Sequence, residues 1–417
     1  MKIRQKRPLH LFDGYGVEME YMIVDRDMLD VLPVSDKLLK SVAGEIANEV
    51  SRGPFAWSNE LVLHVIEIKS DGPSINLLGL GRDFQAEVQE VNQKLEALNA
   101  KLMPGAMHPW MDPFTEMKIW PHEDNPIYDA YNRIFDCRGH GWANLQSTHL
   151  NLPFNGDSEF EQLCAALRIL TPLLPALSAA SPIADREIKP FLNYRMEVYR
   201  TNSSKIPFVT GRIIPERVFT RDAYYSSIFE PMYRDISSYD PDGILQDEWL
   251  NSRGIMARFD RGAIEIRVMD IQECPKADIA ILQLFVAATK RMMDETWSSL
   301  DDQKNWSEED LYDILMAVVK DGERAVISNR EYLQLFGIDK AEMEAGDLWQ
   351  FLYEQVKDSG DIDEESQHAL KVIFRNGPLA RRILNALPND FQKQDLQRVY
   401  AQLCDALEAG EMFLSGS

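Results

Sequence analysis

Four stretches of this chain alternate polar and apolar residues with period two, and each carries a pair of charged or hydrogen-bonding side chains at its polar positions. The first is GVEMEY, residues 16–21. Successive side chains of a strand point to opposite faces, so Glu18 and Glu20 share one face while Val17, Met19, Tyr21 and Ile23 share the other. Taken alone, such a segment reads as an edge strand with one wet face. The same parity returns with Glu67 and Lys69, with His149 and Asn151, and with Glu265 and Arg267. Their opposite faces are mostly apolar: Ile66 and Ile68; Thr148, Leu150 and Leu152; Ile264, Ile266 and Val268. The economical arrangement is one sheet with a greasy face under helices and a second face forming a charged cleft. Desolvating several carboxylates side by side is unfavourable unless a cation lies between them.

Composition narrows the function classes. The chain has 417 residues and 45% hydrophobic content, enough for one large core or two domains. A net charge of −23, from 67 acids against 44 bases, argues against a general nucleic-acid binder. The basic start, Lys2, Arg4, Lys6 and Arg7, lacks the apolar run of a signal peptide, and no apolar run approaches the ~20 residues of a membrane span. Cys137, Cys164, Cys274 and Cys404 are scattered without a CxxC pair and read as reduced thiols. Together these features predict a cytoplasmic protein without a membrane or nucleic-acid partner; a homo-oligomer is left open. Neither a GxxxxGK[ST] loop nor a GxGxxG opening a helix is present.

Along the chain, residues 37–49 read as a helix, and Phe84, Val88, Val91, Leu95, Leu98 and Leu102 form one apolar helical stripe. Residues 104–140, rich in proline, aromatics and histidine, predict a long connection that walls or covers the cleft through Trp110 and Trp120; His108 and His122 are a weak zinc pattern. A helix from about 158 to 180 must bend or break at Pro172 and Pro175. NYRMEVYR is the most strand-like piece of an irregular stretch between 181 and 241, and from 278 onward the pattern is helical. The acid-rich stretch 339–365 reads as a solvated surface. The expected organisation is a mixed α/β catalytic unit over 1–295 and a helical region over 296–417 packed on it.

Glu18, Glu20, Glu67, Glu265 and His149 form a donor set better suited to magnesium or manganese than to zinc. Glu60 is a further candidate, but it precedes Glu67 by an odd number of residues, so only a bulge or a place in the preceding loop brings both to one ion. Two or three ions in an open cleft can hold a polyphosphate, with Lys69 and Arg267 neutralising the transferring group. The chemistry expected is phosphoryl transfer from ATP without a P-loop.

The ordered set GVEMEY, ELVLHVIEIKSDGP, STHLNL and GAIEIRVMD resembles the second family of glutamate-cysteine ligases and related carboxylate-amine ligases, over about residues 12–295. The resemblance implies an α+β, glutamine synthetase-like fold: an antiparallel curved sheet around the active-site cavity, helices on its outer face, and here a helical C-terminal part. It implies ATP-dependent phosphorylation of a substrate carboxylate, usually the side chain of glutamate, and attack of an amine on the acyl phosphate. By the same resemblance Glu20, Glu60 and Glu67 hold one Mg2+, and Glu18, His149 and Glu265 surround the nucleotide phosphates. Arg267 resembles the arginine that steadies the phosphoryl group in flight, and Arg195 is similar to an arginine of the substrate and nucleotide region; Lys69 and Asn151, from their places on the polar strand faces, are further candidates on the nucleotide side. Many members carry HxH where this chain has Ser147 before a single His149. Two other readings remain: a phosphotransferase acting on a guanidino or similar nitrogen, and a binding homologue without activity.

Overall fold

The computed structural model describes residues 8–123 and 125–414. The basic cluster Lys2, Arg4, Lys6 and Arg7 lies outside them. The long alternating segment becomes strand β1 (Gly16–Asp25), and around it a sheet of eight strands is built from β2 (Glu49–Ser51), β3 (Phe55–Asn59), β4 (Val65–Ser70), β5 (Ala100–Met103) and β6 (Ser147–Pro153). A separate two-stranded hairpin, β7 (Ile183–Ala184) and β8 (Glu187–Ile188), precedes the last two strands of the main sheet, β9 (Ile255–Arg258) and β10 (Ala263–Asp270). The order is β2-β3-β4-β1-β6-β10-β9, and the pairings are antiparallel. β1 is therefore central, not an edge. It is long enough to serve two neighbours on one side: Gly16–Met19 pairs with β6, and Met22–Asp25 with β5.

The apolar parity set faces the core. Val17, Met19, Tyr21, Ile66, Ile68, Leu150, Leu152, Ile264 and Ile266 are all buried in one continuous cluster. Helix Leu80–Leu95 covers part of it with Phe84, Val88, Val91 and Leu95. The stripe stops there. Leu98 lies in a 3-10 turn, Asn99 reverses the chain at φ 51°, and Leu102 belongs to β5, where its N–H donates to Asn92 Oδ1 at 2.8 Å. A buried strand residue happened to fall at helical spacing. Similarly, the expected helix over 37–49 runs Ser35–Ala43, ended by Gly44 in the left-handed conformation, so that Glu49 starts β2. As expected, the helix Gly156–Leu170 gives way at the prolines, to Thr171–Leu173 and then Pro175–Ser178.

NYRMEVYR corrects the sequence reading: Tyr194–Asn202 is a helix. The Asn193 side chain caps it by accepting from Met196 N at 3.1 Å, and the buried residues Arg195, Met196 and Tyr199 follow a helical face. The alternation of bulky and polar residues masked that cap.

The helices after residue 295, including Glu308–Asp321, Ala345–Val356 and Lys393–Ala409, share the apolar cluster of the sheet's covered face. Tyr332 OH donates to Ile169 O at 2.6 Å and Trp349 Nε1 to Leu173 O at 2.7 Å. Within the acid-rich stretch, Asp361 bridges Lys290 at 2.5 Å, and Asp363 accepts from Gly79 N and Gln283 Nε2, each at 3.0 Å. Those two acids are anchors, not solvated surface.

His64 and His108 are buried, each with Nε2 2.8 Å from a carbonyl, Ala143 O and Leu29 O, and His108 Nδ1 also accepts from Trp110 N at 3.3 Å. The structure therefore pairs neither His108 nor His122 into a zinc site; His122 meets Asp36 at 3.2 Å. Burial pushes His64 down to about 4 and His108 down to about 3. An unfolded chain takes up protons near pH 6.5 that the fold refuses, so stability rises with pH across this window and is lost as pH falls from about 6.5 toward 4. At pH 4.5 the His64 contribution is about 2–3 kcal/mol. Urea midpoints at pH 7 and 4.5 should separate further for the wild type than for His64→Gln, which keeps a donor for Ala143 O. Equal separations would exclude His64 as a source of acid sensitivity.

Candidate active site

Residues directly opposite each other in antiparallel strands share a face, so the register decides which polar groups meet. Glu20 lies opposite Glu67 on β4, and Glu18 lies between Lys69 on β4 and His149 on β6. Glu265 of β10 lies opposite Asn151 of β6, which in turn faces Gly16. A Cβ at Gly16 would come within 3.0 Å of the Asn151 Cβ. The glycine thus leaves room for the amide that donates to Glu18 Oε1 at 3.1 Å.

His149 is the hub of this face. Its Nδ1 lies 3.1 Å from Glu18 and 3.7 Å from Glu265, while Nε2 lies 2.9 Å from Ser147 Oγ and 4.0 Å from Glu20. Ser147 donates to Glu20 Oε2 through its backbone N at 2.7 Å and its hydroxyl at 3.0 Å. Glu67 accepts from Ser58 Oγ at 2.7 Å and from Lys69 Nζ at 3.0 Å, and Lys69 also reaches Glu49 at 2.9 Å. Two donor triads result, Glu18 with His149 and Glu265, and Glu20 with Glu67 and His149. Within each triad the candidate ligand atoms lie within 4.8 Å of one another.

The electrostatics are those of a site with too much negative charge for its own cations. Burial opposes the Glu18 charge, but the hydrogen bond and charge of His149, with Lys69 and Arg267, outweigh it and hold Glu18 down at about 2. Burial and the neighbouring Glu18 push Glu67 up to about 7. Glu60 is raised well above the carboxylate range by burial, then by Glu20 and Glu67. It follows β3 by one residue, so it enters from the loop before β4 and not from the strand that carries Glu67.

Arg267 sits on a β-bulge. The β10–β6 register steps from Ile266↔Leu150 to Met269↔Thr148, leaving Arg267 and Val268 together against His149. The guanidinium donates to Glu265 through Nε at 3.1 Å and through Nη2, and Nη1 reaches Tyr199 OH at 3.5 Å. Arg195 lies behind it: Nε donates to Asp270 at 2.5 Å and Nη2 to Arg267 O at 3.3 Å. Gly254 accepts from Arg267 N at 3.0 Å, and a Cβ there would fall 2.5 Å from Val268 Cγ1 and 2.8 Å from Ile213 Cγ2. Gly254→Ala is therefore expected to push the bulge outward, at a cost of about 1–3 kcal/mol and of roughly tenfold or more in turnover. Steady-state kinetics and a melting curve check this, and an unperturbed variant would mean that the bulge tolerates displacement.

A cavity of about 220 Å³ opens beside Glu20, Glu60, His149, Arg195 and Arg267. Its walls include Tyr128 and Tyr131 of helix Asn125–Phe135, Trp142 of the short helix His140–Ala143, and Trp249. The 104–140 segment does line the cavity, but not through the expected tryptophans. Trp110 is buried with Nε1 donating to Asp30 at 2.6 Å, and Trp120 is buried with Nε1 donating to Glu123 O at 2.9 Å.

A family model described as Glutamate-cysteine ligase family 2 matches residues 15–402. The chain belongs to this family. An uncharacterized protein of Archaeoglobus fulgidus is 31% identical over 405 residues, covering 96% of this chain and all of that protein. A crystal structure of glutamate–cysteine ligase from Francisella tularensis in complex with AMP superposes with a TM-score of 0.60 at 12% identity, over 97% of this chain and 90% of that one. A bifunctional glutathione synthetase from Pasteurella multocida gives 0.58 at 12% identity, over 96% of this chain and 52% of that one. At such identities the structures speak to the fold alone. That fold, a mostly antiparallel sheet with helices outside and a helical C-terminal part, is the one the sequence resemblance implied, and the family supports a ligase of the carboxylate-amine class.

Within this glutamate-cysteine ligase family member, the carboxylates, His149, Asn151, Lys69, Arg195 and Arg267 named from the sequence lie on or beside one face, whereas His108, His122, Trp110 and Trp120 do not. Those the sequence did not single out are second partners: Ser58, Ser147, Glu49 and Tyr199. Ser147 was legible in principle, since it shares parity with His149. The aromatic wall was not, because Tyr131, Trp142 and Trp249 come from three separate segments.

Proposed function

We propose that this chain is an ATP-dependent carboxylate-amine ligase that activates an acid, with the side-chain carboxylate of glutamate as the first candidate, as an acyl phosphate and passes it to an amine. The observation that carries this is the pair of donor triads sharing His149 on one sheet face. Carboxylates with one imidazole suit Mg2+ or Mn2+, and the elevated Glu60 and Glu67 are what such a cluster does when only its own bases offset it. In this reading Glu20, Glu60 and Glu67 hold one ion, and Glu18, His149 and Glu265 hold the ion or ions on the phosphate side. When bound, the metal supplies charge that offsets the phosphate oxygens.

The protein groups do the positioning. Asn151 and His149 fix Glu18, Ser147 fixes Glu20, and Lys69 fixes Glu67. Arg267, held by Glu265 and aimed by the bulge, is suited to the oxygens of the phosphoryl group in flight. Arg195 has Nε and Nη2 engaged and lines the cavity, so Nη1 remains for a substrate carboxylate. Among the described residues no helix is long and apolar enough to cross a membrane.

Incubation with ATP, Mg2+, glutamate and hydroxylamine tests the reading, because hydroxylamine traps an acyl phosphate as a hydroxamate whatever the natural amine. Hydroxamate with stoichiometric phosphate is expected. A phosphorylated product without free phosphate would favour the nitrogen phosphotransferase, and no acid-dependent ADP release would end the ligase proposal.

A further inference from the structure

The cavity's inventory of charge constrains the amine. Its lining cations are Arg195 and Arg267, with His149 tied to Glu18, while Glu20 and Glu60 are on the same wall. On the ligase reading, Arg267 serves the phosphoryl group and Arg195 the remaining carboxylate of the acid. No side-chain cation is left among the lining residues for a carboxylate on the acceptor, and the divalent ion proposed on Glu20, Glu60 and Glu67 is already outweighed by those three carboxylates. A buried carboxylate without a partner is strongly disfavoured.

Apart from the neutral polar groups of Ser147, Asn202 and Ser252, the rest of the lining is aliphatic and aromatic, and its largest faces are rings. Tyr131 lies 5.2 Å from Trp142 and 6.0 Å from Trp249 between ring centroids, and Phe135 stacks behind Trp142 at 5.5 Å. The polar edge of Trp142 is already satisfied, Nε1 donating to Asn202 O at 3.0 Å, so what it offers a ligand is ring surface. Such faces accept apolar bodies and attract an incoming ammonium.

We infer that the acceptor is a primary amine with no carboxylate of its own and with an aromatic or bulky aliphatic body seated against Tyr131, Trp142 and Trp249. This rests on the ligase reading and specifies its second substrate. The amine lone pair forms the C–N bond at the acyl carbon, and the C–O bond to phosphate breaks. Phosphate departs with that electron pair and takes the proton lost from nitrogen.

The test offers the full-length protein, with ATP, Mg2+ and glutamate, matched amines: phenethylamine against phenylalanine, tyramine against tyrosine, cysteamine against cysteine, and hydroxylamine in parallel. The decarboxylated member of each pair is expected to have at least tenfold higher kcat/KM, the aryl amines exceeding cysteamine. Trp249→Ala should raise the KM for phenethylamine tenfold or more and that for hydroxylamine less than threefold. Hydroxamate formation together with a preference for the amino acids, for cysteamine over the aryl amines, or for none of the amines overturns the inference while leaving the ligase reading standing. Absence of hydroxamate overturns both.

Discussion

Glu20→Gln is expected to lower acid-dependent ADP release by at least about 10²–10³-fold without unfolding the protein. Glutamine retains an oxygen to accept from Ser147 N, so the local contact that orients the side chain survives. What is lost is one negative charge among Glu20, Glu60 and Glu67, the set proposed to hold a divalent ion. Without added Mg2+ the substitution removes a repulsion, because Glu20 is one of the charges that raise Glu60 and Glu67. The melting temperature of the metal-free variant should therefore equal or exceed that of the wild type, and its rise on adding Mg2+ should shrink. Glu265→Gln should be equally inactive, but it also deprives Arg267 of its partner, so no gain in stability is expected there. Wild-type turnover in Glu20→Gln would remove this carboxylate from the chemistry, whatever the geometry around it.

Arg382→Met is expected to destabilise the whole molecule by about 3–5 kcal/mol. Arg382 and Glu273 are both buried. The guanidinium holds Glu273 through Nη1 and through Nη2 at 3.2 Å, and it also donates to Phe413 O at 2.8 Å and Gly377 O at 3.2 Å. Glu273 follows β10 by three residues, whereas Arg382 lies in helix Leu379–Ala386, so this pair ties the end of the central sheet to the helical C-terminal part. Removing the cation leaves a carboxylate in the interior with little more than Phe413 N for company. The double variant Arg382→Met, Glu273→Met should recover much of the loss, since the penalty arises from the orphaned charge. Denaturant midpoints measured by tryptophan fluorescence and by far-UV circular dichroism should shift together. If the single variant unfolded in two steps, the helical part first, the region after 295 would be a separately folding unit under this interface.

The cleft was legible because strand parity is a local property. Glu18 and Glu20, Glu67 and Lys69, His149 and Asn151, and Glu265 and Arg267 each share a face in any regular strand, and a sheet with one greasy face is the cheapest way to bury their apolar partners. The strands that no polar pair marked were harder. β3 and β9 are buried on both faces, and β5 is so short that Leu102 passed for the next turn of a helix. NYRMEVYR misled for the opposite reason, a capped helix whose residues mimic alternation.

The amino-acid sequence by itself determined which side chains share a face, which face is apolar, and that several carboxylates must be reconciled with cations, since these follow from period-two geometry and the cost of desolvating charge. It could not determine register. Only the assembled sheet set Glu20 opposite Glu67 and Glu18 opposite His149, inserted the bulge that aims Arg267, and brought Glu60 in from a loop. The aromatic wall of the cavity was likewise decided by packing, because Tyr131, Trp142 and Trp249 meet through space and share no repeat along the chain.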